Sequence, residues 1–225
     1  DKIAISFEES VFKSEKVILT GNPIRREIIE KSLVTNVSHS TVKQKLPRVL
    51  IMGGNQGSHV INLAVEKCLN QLLKMAVVIH QTGDSKYRDF ERLKELGKSE
   101  EKYIIRKWIG EEYGEILQKA DLVISRAGIN TLTELSLLGK PVLLIPIPNA
   151  EQNKNAKYFE DLGLAKKLPQ SRLSPEALLE NITTMLKDLD SLKEKAKEVK
   201  KVIITDGAKR LALETILLGN GSFKN

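Results

Sequence analysis

Residues 121–156, DLVISRAGINTLTELSLLGKPVLLIPIPNAEQNKNA, decide the fold. Leu122–Ser125 is a continuous apolar run that reads as a buried strand, and Gly128 makes a turn after it. A helix is predicted to start at Asn130 or Thr131, with Asn130 as its cap and Glu134 one turn in. Gly139 and Pro141 stop that helix, and Val142–Ile147 reads as the next parallel strand. Such a strand–turn–helix unit aims backbone N–H groups at the space above the sheet and places a carboxylate beside them. A nucleoside diphosphate needs both, N–H donors for phosphate and a carboxylate for a ribose diol.

The same rhythm extends in both directions. Strands are predicted at Arg48–Met52, Met75–His80, Tyr103–Arg106 and Ala165–Leu168, with helices at Ser58–Leu73, Asp84–Leu96, Tyr113–Ala120 and Glu151–Leu162. Pro175–Leu186, Leu189–Lys200 and Asp206–Leu217 read as closing helices. Within the first helix Ile61, Ala64, Val65, Leu69 and Leu72 recur at helical spacing. Alternating strands and helices imply an α/β fold, a Rossmann-like doubly wound parallel sheet of about six strands covered on both faces. The turns after Met52, His80, Arg106, Ser125 and Ile147 should then share one rim, where ligands of such folds sit. Upstream, Ile3–Phe7 and Val17–Thr20 read as short strands, Gly21-Asn22-Pro23 as a turn, and Pro23 as the first residue of a short helix to Ser32. Thr35–Lys45 reads as a linker or surface loop.

Composition narrows the function. The 225 residues carry a net charge of +7 with 41% hydrophobic content, the profile of a globular domain, and no apolar run approaches a membrane span. Aromatics are only 4%, which argues against a stacking surface for nucleic acid. The basic cluster Lys193–Lys201 is interleaved with Glu194 and Glu198 and reads as a solvated helix face. The single cysteine, Cys68, falls on the apolar side of its helix and reads as a core thiol, so no disulfide forms within the chain, as in a reducing cytoplasm. Opening at Asp1 rather than Met, the sequence reads as a piece of a longer chain.

Several motifs sit on the predicted rim. Gly53–Ser58 (GGNQGS) follows a strand and opens a helix, but it is neither the dinucleotide fingerprint nor a P-loop. It serves either ligand approach or tight packing. Trp108 is either a core anchor or the flank of a base-binding site. Gln152 and Asn155 offer amides suited to sugar hydroxyls or to helix capping. Arg25 follows Gly-Asn-Pro and is placed either to hold a phosphate or to lie on the surface. His39, His59 and His80 are dispersed and no zinc motif exists, so no metal site is expected. Asp188-Leu189-Asp190 lies among the late helices and is read as chance.

Together these pieces resemble the C-terminal half of the MurG family. The resemblance rests on five ordered motifs: Thr20–Arg25, Met52–Ser58, Ser125–Gly128 continuing to Glu134, Gly139–Pro141 and Gln152–Ala156. It implies the C-terminal domain of a GT-B glycosyltransferase, transferring N-acetylglucosamine from UDP-GlcNAc to a lipid-linked muramyl-pentapeptide to form lipid II. Residues 1–20 would be the tail of an N-terminal acceptor domain, 21–46 a linker and 47–225 the UDP-sugar-binding domain.

Carried over by motif, Arg25 would contact the diphosphate, with Asn55, Gln56 and Gly57 lining the pocket. Ile109 would read uracil through its main chain beside Trp108. Gly128, Ile129, Asn130 and Thr131 would face phosphate and sugar, Glu134 the ribose and Gln152 the GlcNAc hydroxyls. Glu151 stands where the family often has His or Gln, and Asn55 where Ser is common. No catalytic residue, metal or cofactor is expected in this stretch. The implied partners are UDP-GlcNAc and, through the N-terminal domain, the lipid acceptor, at the cytoplasmic face of the membrane. The alternatives are a donor subunit acting on another lipid acceptor and a non-catalytic UDP-binding module.

Overall fold

The computed structural model describes residues 1–8, 14–33, 46–54 and 56–221. The expected linker at Thr35–Lys45 and the turn residue Asn55 lie outside them. In chain order the elements are β1 (Ile3–Ile5), β2 (Val17–Leu19), α1 (Arg26–Leu33), β3 (Arg48–Met52), α2 (His59–Met75), β4 (Val77–Gln81), α3 (Asp89–Leu96), β5 (Tyr103–Arg106) and α4 (Tyr113–Lys119). There follow β6 (Leu122–Ser125), α5 (Ile129–Leu137), β7 (Val142–Leu144), α6 (Ala150–Asp161), β8 (Ala165–Lys167), α7 (Pro175–Lys187), α8 (Leu189–Lys201) and α9 (Gly207–Gly221).

Six strands form one parallel sheet in the order β5-β4-β3-β6-β7-β8, while β1 and β2 pair separately and in parallel. The chain runs outward from β3 to β5, returns to β6 beside β3, and runs outward again to β8. The order therefore reverses between β3 and β6, and folds of this kind bind ligands above the carboxyl ends of the strands at such a point. Val49, Leu50, Ile51, Val123 and Ile124 are fully buried, as a sheet covered on both faces requires. On one face α2 packs through Ile61, Val65, Leu69 and Leu72 with Ile182 and Met185 of α7. On the other lie Leu117 of α4, Leu132 and Leu135 of α5, Phe159 of α6 and Val199 of α8. Cys68 is buried in the first of these layers, as expected of a core thiol.

The strands read as continuous apolar runs match most closely; β3, β5 and β6 coincide with the sequence reading to the residue. Other boundaries move for local reasons. Pro23 does not open α1, because residues 21–25 run as an irregular segment and the helix begins at Arg26. The charged helix starts at Asp89 rather than Asp84; Arg88 adopts φ 53 and its N–H bonds Ser85 O, closing a turn first. Strand β7 ends at Leu144 rather than Ile147, just before Pro146, whose missing N–H cannot extend the ladder. Asn130 is not the cap of α5; Gly128 holds that position without a side-chain bond.

The basic cluster on α8 is partly a docking device. Lys197 and Lys201 pair with Glu194 and Glu198 on the exposed face. Lys193 instead reaches Asp121, and Lys200 donates to Ser32 O.

Candidate functional site

The rim above β3 and β6 is built from turns that brace one another. Gly57 has φ +75, and a Cβ there would stand 1.8 Å from Thr82 O; one on Gly83 would stand 2.2 Å from Gly57 N. Packing against the β4 turn alone therefore demands glycine at Gly57. Gly54, Gly110 and Gly128 differ, for a Cβ on any of them would meet nothing within 4 Å among the described residues. These three leave open backbone on the rim, where a ligand can approach closely.

Three polar side chains tie the turns together. Gln81 ends β4, donates to Gly54 O at 3.1 Å and accepts from Ile109 N at 3.3 Å, linking the glycine turn to the loop after β5. Arg126 donates to Ile145 O at 2.8 Å and to Ser58 Oγ at 2.7 Å, bridging the switch point. Burial lowers the Arg126 pKa from its ordinary value, and no carboxylate pairs with it among the described residues. Gln152 Oε1 accepts from Ala127 N at 3.1 Å and from Ile147 N at 3.0 Å. Its oxygen is thus committed to the loops, which leaves its NH2 as the donor end. Asn149 caps α6 by accepting from Gln152 N at 2.8 Å. Asn155 donates to Ala127 O.

Helix α5 brings the anion-seeking and carboxylate features together. The N–H groups of Ile129, Asn130 and Thr131 take no acceptor among the described residues, as expected of a first helical turn. The Gly-Asn-Pro segment lies against this helix: Asn22 Nδ2 donates to Asn130 Oδ1 at 3.0 Å and to Thr133 Oγ1 at 3.4 Å. Arg25 then reaches Glu134 through a two-pronged bond, Nε to Oε1 and Nη2 to Oε2, both 2.7 Å. Tyr113 donates to Glu134 Oε2 at 3.2 Å. The bond to Glu134 raises the Arg25 pKa further above its ordinary range. Glu134 is 4% exposed and is not a surface carboxylate.

Trp108 is 50% exposed, so it is not a core anchor. It stands immediately before Ile109, beside the open Gly110. Sequence reasoning did not single out Gln81, Arg126, Asn149 or Tyr113. Arg126 lay inside a quoted motif, whereas a lone amide at a strand end or a lone tyrosine at a helix start carries no sequence signal. Among the described residues no group of three or more His, Cys, Asp or Glu side chains is placed to hold a metal ion.

A doubly wound sheet whose switch point carries open glycine turns and arginines defines the class, a Rossmann-like α/β domain. Residues 48–211 match the model of the glycosyltransferase family 28 C-terminal domain, and the chain belongs to that family. A relative from Acetivibrio thermocellus is 35% identical over 220 residues, covering 94% of this chain and 59% of its own length. One from Bacillus cereus is 36% identical over 220 residues, again covering 94% and 59%. Both are named as UDP-N-acetylglucosamine–N-acetylmuramyl-(pentapeptide) pyrophosphoryl-undecaprenol N-acetylglucosamine transferases. Among solved structures, MurG of Acinetobacter baumannii superposes with a TM-score of 0.72 at 26% identity, over 93% of this chain and 58% of that one. A UDP-GlcNAc 2-epimerase from Neisseria meningitidis, TM-score 0.60 at 17% identity over 92% of this chain and 56% of that one, shares the fold. The resemblance to the MurG family and the GT-B domain class read from the motifs are borne out. The chain spans about three-fifths of the length of these transferases, 59% in both cases.

Proposed function

We propose that this chain is the donor-binding part of an inverting N-acetylglucosamine transferase that uses UDP-GlcNAc and a lipid-linked muramyl-pentapeptide acceptor. One observation carries the reading. The conjunction of Arg25, Glu134 and the free first turn of α5 lies beside the open glycine turns of the switch point. The names of the relatives supply the donor sugar and the acceptor.

In this reading uracil lies against the Trp108–Gly110 loop, read by the main chain of Ile109 with Trp108 alongside. Glu134 accepts from a ribose hydroxyl. A carboxylate offers about four acceptor directions, so the two bonds from Arg25 and the one from Tyr113 leave one for a ribose hydroxyl. The diphosphate meets Arg25, the N–H groups of Ile129, Asn130 and Thr131, and the Asn55–Gly57 turn. The donor end of the Gln152 amide meets the GlcNAc hydroxyls beside open Gly128. The acceptor hydroxyl attacks the anomeric carbon and loses its proton to a base supplied from outside these residues. The carbon–oxygen bond to UDP breaks, and Arg25 with the helix N–H groups stabilises the charge that develops on the departing diphosphate. Residues 1–20 form the tail of the acceptor domain that completes the cleft, and 21–46 the linker. No described helix is long and apolar enough to cross a membrane. Membrane contact, at the cytoplasmic face, comes through the lipid acceptor.

The ribose role is tested by Glu134→Ala titrated with UDP and with a UDP analogue lacking both ribose hydroxyls. The variant is expected to lose at least about tenfold more affinity for UDP than for the analogue. Equal losses would remove Glu134 from the ribose.

A further inference from the structure

Arg25 is not held by Glu134 alone. Its guanidinium carbon lies 3.9 Å from the centroid of the Tyr113 ring. The same tyrosine donates its hydroxyl to Glu134 Oε2. Tyr113, the first residue of α4, therefore touches both members of the ion pair and is 7% exposed. The arginine side chain above it is 51% exposed, yet three contacts fix its geometry.

An exposed arginine ordinarily samples many rotamers, and ordering it on a ligand costs affinity. Here the guanidinium lies over the ring, and its Nε–Nη2 edge is used by the carboxylate. The Nη1 side donates no hydrogen bond among the described residues; it is paired only loosely with Glu27, 3.8 Å away and 39% exposed, a contact an anion can displace. Burial keeps the phenol protonated, its pKa raised above the ordinary value, so the hydroxyl stays a donor to Glu134.

We propose that Tyr113 is a positioning residue for diphosphate recognition, holding the Arg25 guanidinium against its ring and Glu134 through its hydroxyl so that the Nη1 side of Arg25 is turned to the ligand. The inference rests on the reading of Arg25 as a diphosphate contact, and the test separates the two. Calorimetry on the purified chain gives the ratio of uridine to UDP dissociation constants, which isolates what the phosphates contribute. Arg25→Ala is expected to collapse that ratio; if the ratio is unchanged, the parent reading of Arg25 fails.

Tyr113→Met, which fills the space without a ring, also removes the hydroxyl bond to Glu134, so uridine should weaken somewhat; UDP should weaken more, lowering the ratio about tenfold. Tyr113→Phe keeps the stack and should lower it by no more than about threefold. In an Arg25→Ala background, Tyr113→Met should lower the ratio no further. A wild-type ratio in Tyr113→Met, with Arg25→Ala defective, overturns the proposal. Equal weakening of uridine and UDP also overturns it, since that reports only a disturbed core. Should Tyr113→Met not fold, Arg25→Lys makes the same test in an intact core. It keeps the charge without the planar fork, and retention of the full ratio would contradict the proposal.

Discussion

The glycines of the rim show how one residue type serves two purposes. Gly57 is demanded by packing, so Gly57→Ala should cost about 3 kcal/mol from left-handed strain plus overpacking. In a chain of this size that lowers Tm by roughly 6–12 °C. Gly128 has φ −72 and open space where a Cβ would go. Gly128→Ala should therefore leave stability within about 0.5 kcal/mol and weaken UDP-GlcNAc binding. Differential scanning calorimetry and a ligand titration check the pair. A destabilised Gly128→Ala that still binds normally would place the ligand elsewhere.

His80 gives a second prediction at this scale. It is fully buried between Tyr103 and Asn62, at 2.8 and 3.0 Å, and burial pushes its pKa down to about 3. Between that value and an ordinary one near 6.5, only the unfolded chain takes up the proton. Stability from this group is complete above the upper limit and is lost as pH falls through the window, by up to about 1.4 kcal/mol per pH unit. Urea unfolding at pH 7, 5 and 4 should show a steeper acid loss in the native chain than in His80→Gln. Equal slopes would contradict a buried neutral imidazole.

At the scale of elements, the rim works because neighbouring turns are bound to each other rather than held separately by their own strands. Arg126 spans the switch point. Its replacement by methionine removes two charge-assisted bonds, to Ser58 Oγ and Ile145 O. Arg126→Met should lower stability by about 2 kcal/mol in urea denaturation and weaken UDP; an unchanged midpoint would show the bridge to be idle.

This scale also explains what the sequence could and could not reveal. Strands β3, β5 and β6 are legible to the residue because a doubly covered sheet writes itself as unbroken apolar runs. The start of α3 is not, because a turn between Ser85 and Arg88 intervenes where composition is merely charged. Asn130 carries the local signature of a cap. The structure instead gives its oxygen to Asn22, 108 positions away, and no local rule anticipates a partner at that distance. Arg25 and Glu134 are readable as ligand-seeking groups. Their bond to each other, and Tyr113 beneath them, are tertiary facts with no periodicity to betray them.

For the molecule as a whole, the order β5-β4-β3-β6-β7-β8 places the rim features at one reversal point, although they are spread from Arg25 to Gln152 in sequence. The chain spans 59% of transferases that act on two substrates. On the proposed division of their work, this part holds the nucleotide sugar while acceptor and base come from elsewhere. The chain alone is then expected to bind nucleotide without transferring N-acetylglucosamine. Calorimetric titration of the chain with UDP and with UMP tests this most directly. One saturable site that binds UDP more tightly than UMP is expected, because the second phosphate would meet Arg25 and the first turn of α5. Binding of neither nucleotide would contradict it.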